Sequence, residues 1–377
     1  MAVLTNVSGS SRSTRTGSAL PEYETLSIPE QEWCKFQPYL RAHDLELRSR
    51  YQPGWIPSWK GTNKNPRDCD DGPPRSAVFA EIDAKLSNDK MVTVKYVSSC
   101  MHPNEVSVVE YFNSPDLRKD RNNHCIPLVL EPLHHSKDTS FLVSPLLRTY
   151  DNPRFSTIGE FVEFIDQSFK GLNFMHDHNV AYRCATMELM MEPAPLFPDM
   201  FHPLATDRSR DLKHRARRTT RTRKPTRYYF TDFGNSEKYK TDTERTASPL
   251  LGLSKELQPP EFKQSNEPRD PFPTDVYYLG LMLRRELLEK YHGLEFLESL
   301  VRDMTEEDPA ARPTMQGVVK MFEHIRAALS RPTLRSRLIR KNEADRSFLV
   351  RISRQVQHAF RTMEYKMRGL DPIPTPA

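Results

Sequence analysis

The sequence predicts an α+β fold in two lobes, β-rich first and α-helical after. Between residues 77 and 143, β-branched and aromatic residues come in short runs separated by turn formers. From Thr157 onward the apolar spacing lengthens to the helical period and keeps it over several long stretches. With 377 residues, 37% of them hydrophobic, the chain has material for a substantial core.

Taken in order, residues 1–25 open with a Ser/Thr/Arg-rich stretch that lacks acids before Glu22 and has no apolar segment. They read as a disordered tail, with a transit peptide as the alternative. Residues 26–75 are aromatic and proline-bearing (Trp33, Phe36, Tyr51, Trp55, Trp59) and are expected to form an extension that packs on the main body. Residues 76–143 form the β-rich lobe. Ala77-Val78-Phe79-Ala80-Glu81-Ile82 and Met91-Val92-Thr93-Val94-Lys95-Tyr96-Val97 flank a Ser87-Asn88-Asp89 turn, which predicts a hairpin. A short helix follows over 105–112, then strands at Leu128-Val129-Leu130 and Phe141-Leu142-Val143.

Residues 144–330 form the helical lobe. The stretch 157–176 sets Ile158, Phe161, Val162, Ile165, Phe169, Leu172 and Met175 on one face, with Thr157 and Glu160 as a capping box. Further amphipathic helices are predicted over 275–290 and 314–329. Residues 331–377 are a basic helix and tail. Its helix, over 345–367, spaces Phe348, Leu349, Ile352, Val356, Phe360 and Met363 along one side, which is expected to pack on the helical lobe. Binding of a membrane or an acidic partner is the alternative.

The net charge of +5 hides an asymmetry. Residues 207–227 carry ten Lys/Arg against two Asp, and residues 331–368 carry eleven against three acids, +8 in each case. The rest of the chain is left at −11, an acidic body with two basic appendages. Five cysteines (Cys34, Cys69, Cys100, Cys125, Cys184), odd in number and without CxxC spacing, read as reduced thiols of an intracellular protein, cytoplasmic or nuclear. No apolar run approaches the ~18 residues of a membrane span.

Two short stretches disagree about function. Tyr229-Phe230-Thr231-Asp232-Phe233-Gly234 is a strand-like run ending in the Asp-Phe-Gly with which protein kinases hold magnesium. Val180-Ala181-Tyr182-Arg183-Cys184 sits where a kinase carries His-Arg-Asp, and it has no carboxylate at the catalytic place. Other fixtures of phosphoryl transfer follow the kinase order. Lys95, in Val92-Thr93-Val94-Lys95, matches the lysine that grips the α/β-phosphates, and Glu105 is its candidate partner, with Glu110 as the alternative. Each alone is ordinarily a solvated charge. Asp275, in Asp275-Val276-Tyr277-Tyr278-Leu279-Gly280, matches the kinase residue that caps the catalytic-loop backbone. Arg312, after Asp308-Pro309-Ala310-Ala311, and Glu261, after Pro260, match a buried kinase ion pair. Singly, Asp275 is an ordinary N-cap and Arg312 a surface charge; together the features predict a two-lobed protein-kinase-like fold.

The chain resembles the protein-kinase-like proteins of mushroom-forming (basidiomycete) fungi over roughly residues 59–340. The resemblance rests on Arg121-Asn122-Asn123-His124-Cys125-Ile126-Pro127, Pro145-Leu146-Leu147-Arg148, Phe174-Met175-His176-Asp177-His178-Asn179-Val180-Ala181 and Asp270-Pro271-Phe272-Pro273-Thr274-Asp275-Val276-Tyr277-Tyr278-Leu279-Gly280. It implies ATP and Mg2+ as cofactors and His-Arg-Asp followed by a stretch like Cys-Ala-Thr-x-Asn-Leu-Met-Met-Asp-Pro. This chain has Cys184-Ala185-Thr186-Met187-Glu188-Leu189-Met190-Met191-Glu192-Pro193. In that register the family's His corresponds to Tyr182, its Arg to Arg183, its Asp is deleted and its magnesium-binding Asn corresponds to Glu188. Without a gap, Cys184 takes the Asp position and Leu189 the Asn position. Both registers remove the base, and a thiol is mostly neutral near pH 7.

Ser76 to Asp89 contains no glycine, so the phosphate-covering loop is degraded as well. The expected nucleotide-binding residues are Lys95 and Glu105 and the expected metal ligands Asp232 and Glu188. Phe233, Gly234, Glu261, Asp275 and Arg312 are structural, and Tyr182, Arg183 and Cys184 are a degenerate catalytic loop. The expectation is a pseudokinase with weak ATP/Mg2+ binding and a scaffolding or regulatory role toward a protein partner not named by the sequence. An active Ser/Thr kinase using Glu188 or Glu192 is the alternative. A basic insert over 194–227, most cationic between Arg208 and Arg227, offers a third reading, a nucleic-acid or polyanion adaptor. Without interleaved aromatics, base stacking is not indicated, and a solvated insert is the plainer reading. Thr241, Thr243, Thr246 and Ser248 are candidate phosphorylation positions that Arg183 could receive.

Overall fold

A computed structural model describes residues 21–74, 80–241, 244–263, 265–345 and 347–376. It is a mixed α+β chain that divides into two compact units. Of the described residues, the first holds those up to Ser98 together with Leu128–Leu146 and Asp199–Arg217; the second holds Ser99–Pro127, Leu147–Pro198 and those from Arg218 onward.

Among the described residues the first unit is an antiparallel sheet covered by one helix. Helix α1 (Ile28–Ala42) starts at a capping box, with the Ser27 N–H and hydroxyl both donating to Glu30. Strands β1 (Leu45–Leu47), β2 (Glu81–Leu86), β3 (Met91–Ser98), β4 (Leu133–Ser136) and β5 (Thr139–Pro145) follow in the order β1-β2-β3-β5-β4. Alternation puts Ile82, Val94 and Val143 in register across the sheet, and α1 lays Trp33 and Phe36 on Phe141, ring centroids 6.0 and 5.1 Å apart. A buried Arg50–Glu30 pair at 2.6 Å joins the helix to the turn after β1. Burial pushes the Glu30 pKa up, but the hydrogen bonds from Arg50 and Ser27 outweigh it and hold the group below its ordinary value.

Residues 26–75 contribute α1 and β1 to the sheet unit, β1 pairing with β2. Two expectations change here. Order begins before residue 26, because 21–24 form a 3-10 turn and Arg67 lies 6.0 Å from the Tyr23 ring centroid. No strand forms at Leu128-Val129-Leu130, where Val129 N–H makes a single ladder-like bond to Val143 O at 2.8 Å. Its place as β5's second neighbour goes to β4, an exposed edge strand whose two histidines and bulge hide the alternation. The expected hairpin is β2–β3, although Ala77, Val78 and Phe79 lie outside the described residues.

The second unit is built around a long buried helix. Its elements are α2 (Glu105–Phe112), β6 (Arg148–Thr149), α3 (Ile158–Asp177), β7 (Val180–Ala181), β8 (Leu189–Met191), β9 (Tyr228–Phe230), β10 (Glu237–Lys238), α4 (Pro271–Leu283), β11 (Tyr291–His292), α5 (Glu298–Met304), α6 (Met315–Ala328), α7 (Arg331–Arg335), β12 (Ile339–Arg340) and α8 (Phe348–Met367). Helix α3 is buried on nearly every side, which is why its polar residues are all engaged. Gln167 donates to Thr226 O and accepts the Tyr228 N–H, fixing β9 alongside it. A Cβ on Gly171 would come within 2.6 Å of the His124 side chain, so only glycine admits that approach. Burial and the nearby Arg227 charge lower the His124 pKa to about 3, leaving a neutral ring that bonds the Tyr228 carbonyl.

The expected cap of α3 is half realised. Thr157 accepts the Glu160 N–H, but Glu160 reaches Ser156 N–H and Thr222 rather than closing the box. Helix α4 starts earlier than expected, capped by Asp270, and Asp275 is therefore inside the helix with its carboxylate free for other partners.

The largest difference is α8. Its polar side faces inward: Tyr365 is buried and bonds Thr220, His358 bonds Arg335 O, and Glu364 pairs with Arg223. The apolar stripe turns outward, with Phe348 71%, Leu349 76% and Phe360 71% exposed, which overturns the expectation that it packs on the helical lobe. Periodicity defines a stripe but not the side on which it is covered. Substituting Phe360→Ser should therefore change unfolding free energy by less than ~0.5 kcal/mol. Phe161→Ala on α3 should cost ~3–5 kcal/mol in the same urea titration. Comparable losses for both would show that the stripe is packed.

Candidate functional site

The residues that matter in the second unit converge on one buried carboxylate. Asp275, 0% exposed, accepts the Tyr182 N–H at 2.7 Å through Oδ2 and the Arg183 N–H at 2.7 Å through Oδ1. His176 Nε2 lies 3.1 Å from the same Oδ2. Drawing two successive amides to one side chain bends the loop sharply, and Arg183 sits at φ +53° and Met187 at φ +47°. Left-handed conformations in non-glycine residues cost about 1–2 kcal/mol each, so the loop is held in shape by its partners.

The Tyr182 ring is wholly buried, edge-on to Phe230 at 4.9 Å and to Phe233 at 5.4 Å. Its carbonyl accepts from Ser236 at 2.7 Å. Cys184 follows, 5% exposed, with its sulfur 3.5 Å from the Thr186 hydroxyl. Burial and the negative charge of Asp232 push the Cys184 thiol pKa up, so it is protonated at neutral pH and cannot take a proton from a substrate hydroxyl. The Thr186 hydroxyl donates to Glu188 at 3.0 Å, and β8–β9 pairing sets Glu188 O on the Thr231 N–H at 3.0 Å.

Asp232 accepts the Gly234 N–H at 3.3 Å, and His102 is 2.8 Å from Gly234 O. A Cβ on Gly234 would meet that histidine at 2.8 Å. Phe233 is buried, with its ring 6.3 Å from Phe112 on α2. Among the described residues no group of three or more His, Cys, Asp or Glu side chains could hold a metal unaided.

Arg312 and Glu261 form a bidentate pair at 2.7 and 2.9 Å, side chains 0% and 2% exposed, and Glu261 also accepts from Thr274. Lys95 lies on β3 of the first unit, opposite Glu81 and Leu142. Glu105 opens α2 in the second unit and is buried, whereas Glu110 is exposed.

Three participants carry no clear signal in the sequence. His176 stands within the Phe174–Ala181 motif, where nothing marks it for a role. His102 belongs to no motif. Glu237 pairs with Arg183 at 2.8 Å, while the other arm of that arginine donates to Ser248 O at 2.8 Å. A carboxylate of this chain thus already occupies the guanidinium expected to receive a phosphate, and Thr243 lies outside the described residues.

The Glu261–Arg312 pair yields a stability test. Burial raises the Glu261 pKa, but the Arg312 hydrogen bonds and charge outweigh it, and the net shift is downward. Its contribution is fully present above the ordinary glutamate value of 4.5 and is lost as pH falls through the lowered one. Glu261→Gln should cost ~3–5 kcal/mol at neutral pH by stranding a buried guanidinium. In denaturant titrations that gap between wild type and variant should narrow as pH drops below 4.5. Compared with known proteins, the chain matches no family model and no curated protein.

Proposed function

We propose that the chain is a protein-kinase-like pseudoenzyme of two-lobed fold, acting through binding rather than phosphotransfer. The observation that carries this reading is the Asp275-held loop: Tyr182 and Arg183 are fixed by two 2.7 Å bonds, and the next side chain is the buried thiol of Cys184. A kinase needs a carboxylate there to orient the attacking hydroxyl, while the surrounding scaffold of Asp-Phe-Gly and the Glu261–Arg312 pair is retained. The chemistry lost is the base; the residue types retained for Mg2+ in the second unit are Asp232 and Glu188, and Lys95 of the first unit keeps the type that grips phosphate. Bound Mg2+ would neutralise phosphate charge. Glu188 or Glu192 as a substitute base is the competing reading, and against Glu188 stands the hydrogen bond that ties its carboxylate to Thr186.

Titration with ATP and Mg2+ should raise the melting temperature modestly, and the shift should require Mg2+ and vanish in Asp232→Asn. Wild type should transfer no phosphate to protein or peptide acceptors. A repaired variant, with Asp inserted after Arg183 and Glu188→Asn, should gain turnover. Equal turnover in wild type and repaired protein would overturn the pseudoenzyme reading, and absence of any ATP shift would remove the nucleotide from it.

A further inference from the structure

Five arginines of the second unit line one cleft. Arg154, Arg218, Arg221, Arg223 and Arg361 surround a space of about 390 Å³, in the size range of small-ligand pockets. They arrive from the turn before α3, from residues 218–223 and from α8. Among the described residues the lining includes one carboxylate, Glu160, and it is already committed: Ser156 N–H donates to it at 2.7 Å, Thr222 N–H at 3.0 Å and the Thr222 hydroxyl at 2.8 Å. Arg223 is matched by Glu364. Arg154, Arg218 and Arg361 have no carboxylate within salt-bridge distance among the described residues. Arg221 is 2% exposed and donates to Tyr150 O at 2.7 Å, yet its buried Nε meets no acceptor among the described residues.

Such crowding of like charge is unfavourable in the free protein. Burial, then Arg361 and Arg221, lower the proton affinity of Arg218. A second cleft of about 180 Å³ shares Arg154 and Arg361, but its further arginines are paired, Arg337 and Arg354 with Glu343 and Arg340 with Asp151, so the uncompensated charge stays with the larger cleft. The cations are all arginines, whose planar forks match phosphate oxygens in pairs, and hydroxyls of Ser156, Thr219 and Thr220 stand beside them. Among the described residues no aromatic ring lines the larger cleft, which argues against nucleobase stacking.

We propose that this cleft binds a ligand bearing several phosphate groups, received by Arg154, Arg218 and Arg361. Two sources share that chemistry, a soluble polyphosphate and a phosphoinositide headgroup. The apolar stripe of α8 lies on the side of the helix opposite Arg361, so a bilayer touching the stripe would not present headgroups to the cleft. The soluble source fits better. This site is independent of the pseudoenzyme reading, and the two fail separately: ATP bound here would need no Mg2+ and would survive Asp232→Asn.

The full chain would be titrated calorimetrically with inositol hexakisphosphate and with tripolyphosphate at low and physiological salt. Sedimentation with phosphatidylinositol-bisphosphate vesicles would run in parallel. Expected is one site that weakens with salt and loses about tenfold or more in affinity per arginine removed in Arg218→Gln/Arg361→Gln. The control Arg351→Gln/Arg302→Gln, with the same charge change outside the cleft, should bind as wild type. Should the double variant lose its native circular dichroism, Arg154→Gln takes its place. Vesicle binding alone, lost in the cleft variant, would support the site and assign it to lipid. No binding of any probe at millimolar concentration, or equal losses in cleft and control variants, would overturn the proposal.

Discussion

The carboxylate of Asp275 serves three neighbours at once, and the geometry of the loop before β8 follows from that. Two amide donors on successive residues can share one carboxylate only if the backbone turns tightly between them, which is what sets Arg183 in the left-handed region. With its backbone so directed, Arg183 sends its guanidinium to Glu237 and Ser248 O, and Tyr182 drives its ring between Phe230 and Phe233. Remove the carboxylate and two N–H groups, that of Tyr182 buried and that of Arg183 partly so, lose their acceptor together, at about 1–3 kcal/mol for the buried one. The loop is thus a consequence of a residue ninety positions away in sequence, itself released for the task because Asp270 caps α4.

How much of this could be read beforehand depends on whether a residue's partner is written near it or implied by a pattern. Glu261, Asp275 and Arg312 are legible because charged residues amid apolar motifs have few ways to be satisfied, and the motif order supplies the partner. Helix α3 is legible because its apolar set is wide and its cap is explicit. Strand β4 is not, since an exposed edge needs no apolar alternation to persist. Glu237 is not, since nothing local separates a glutamate in solvent from one facing an arginine. The orientation of α8 is the sharpest case: the stripe is plain in the sequence, but its polar side happens to find Glu343, Thr220, Arg223 and the Arg335 carbonyl, and those contacts decide which face turns inward.

The basic stretch between Arg208 and Arg227 likewise reads as one uniform run and folds as two different things. Its first part, to Arg217, belongs to the sheet unit, where Arg210 pairs with Asp89 and Arg217 with Asp199. Its second part belongs to the helical unit, where Arg221 sits beneath the surface over the Phe155 ring, 4.4 Å from its centroid. Charge composition alone could not separate them, because the difference lies in which acids meet each arginine.

All five cysteines are free, and their accessibilities differ widely: Cys100 is exposed, while Cys184 is closed in beside Thr186. An alkylating reagent would react with Cys100 at once and with Cys184 only when the Asp275-held segment swings open. Mapped peptide by peptide, the delay at Cys184 becomes a clock for the breathing of the loop, readable without any substrate or added label.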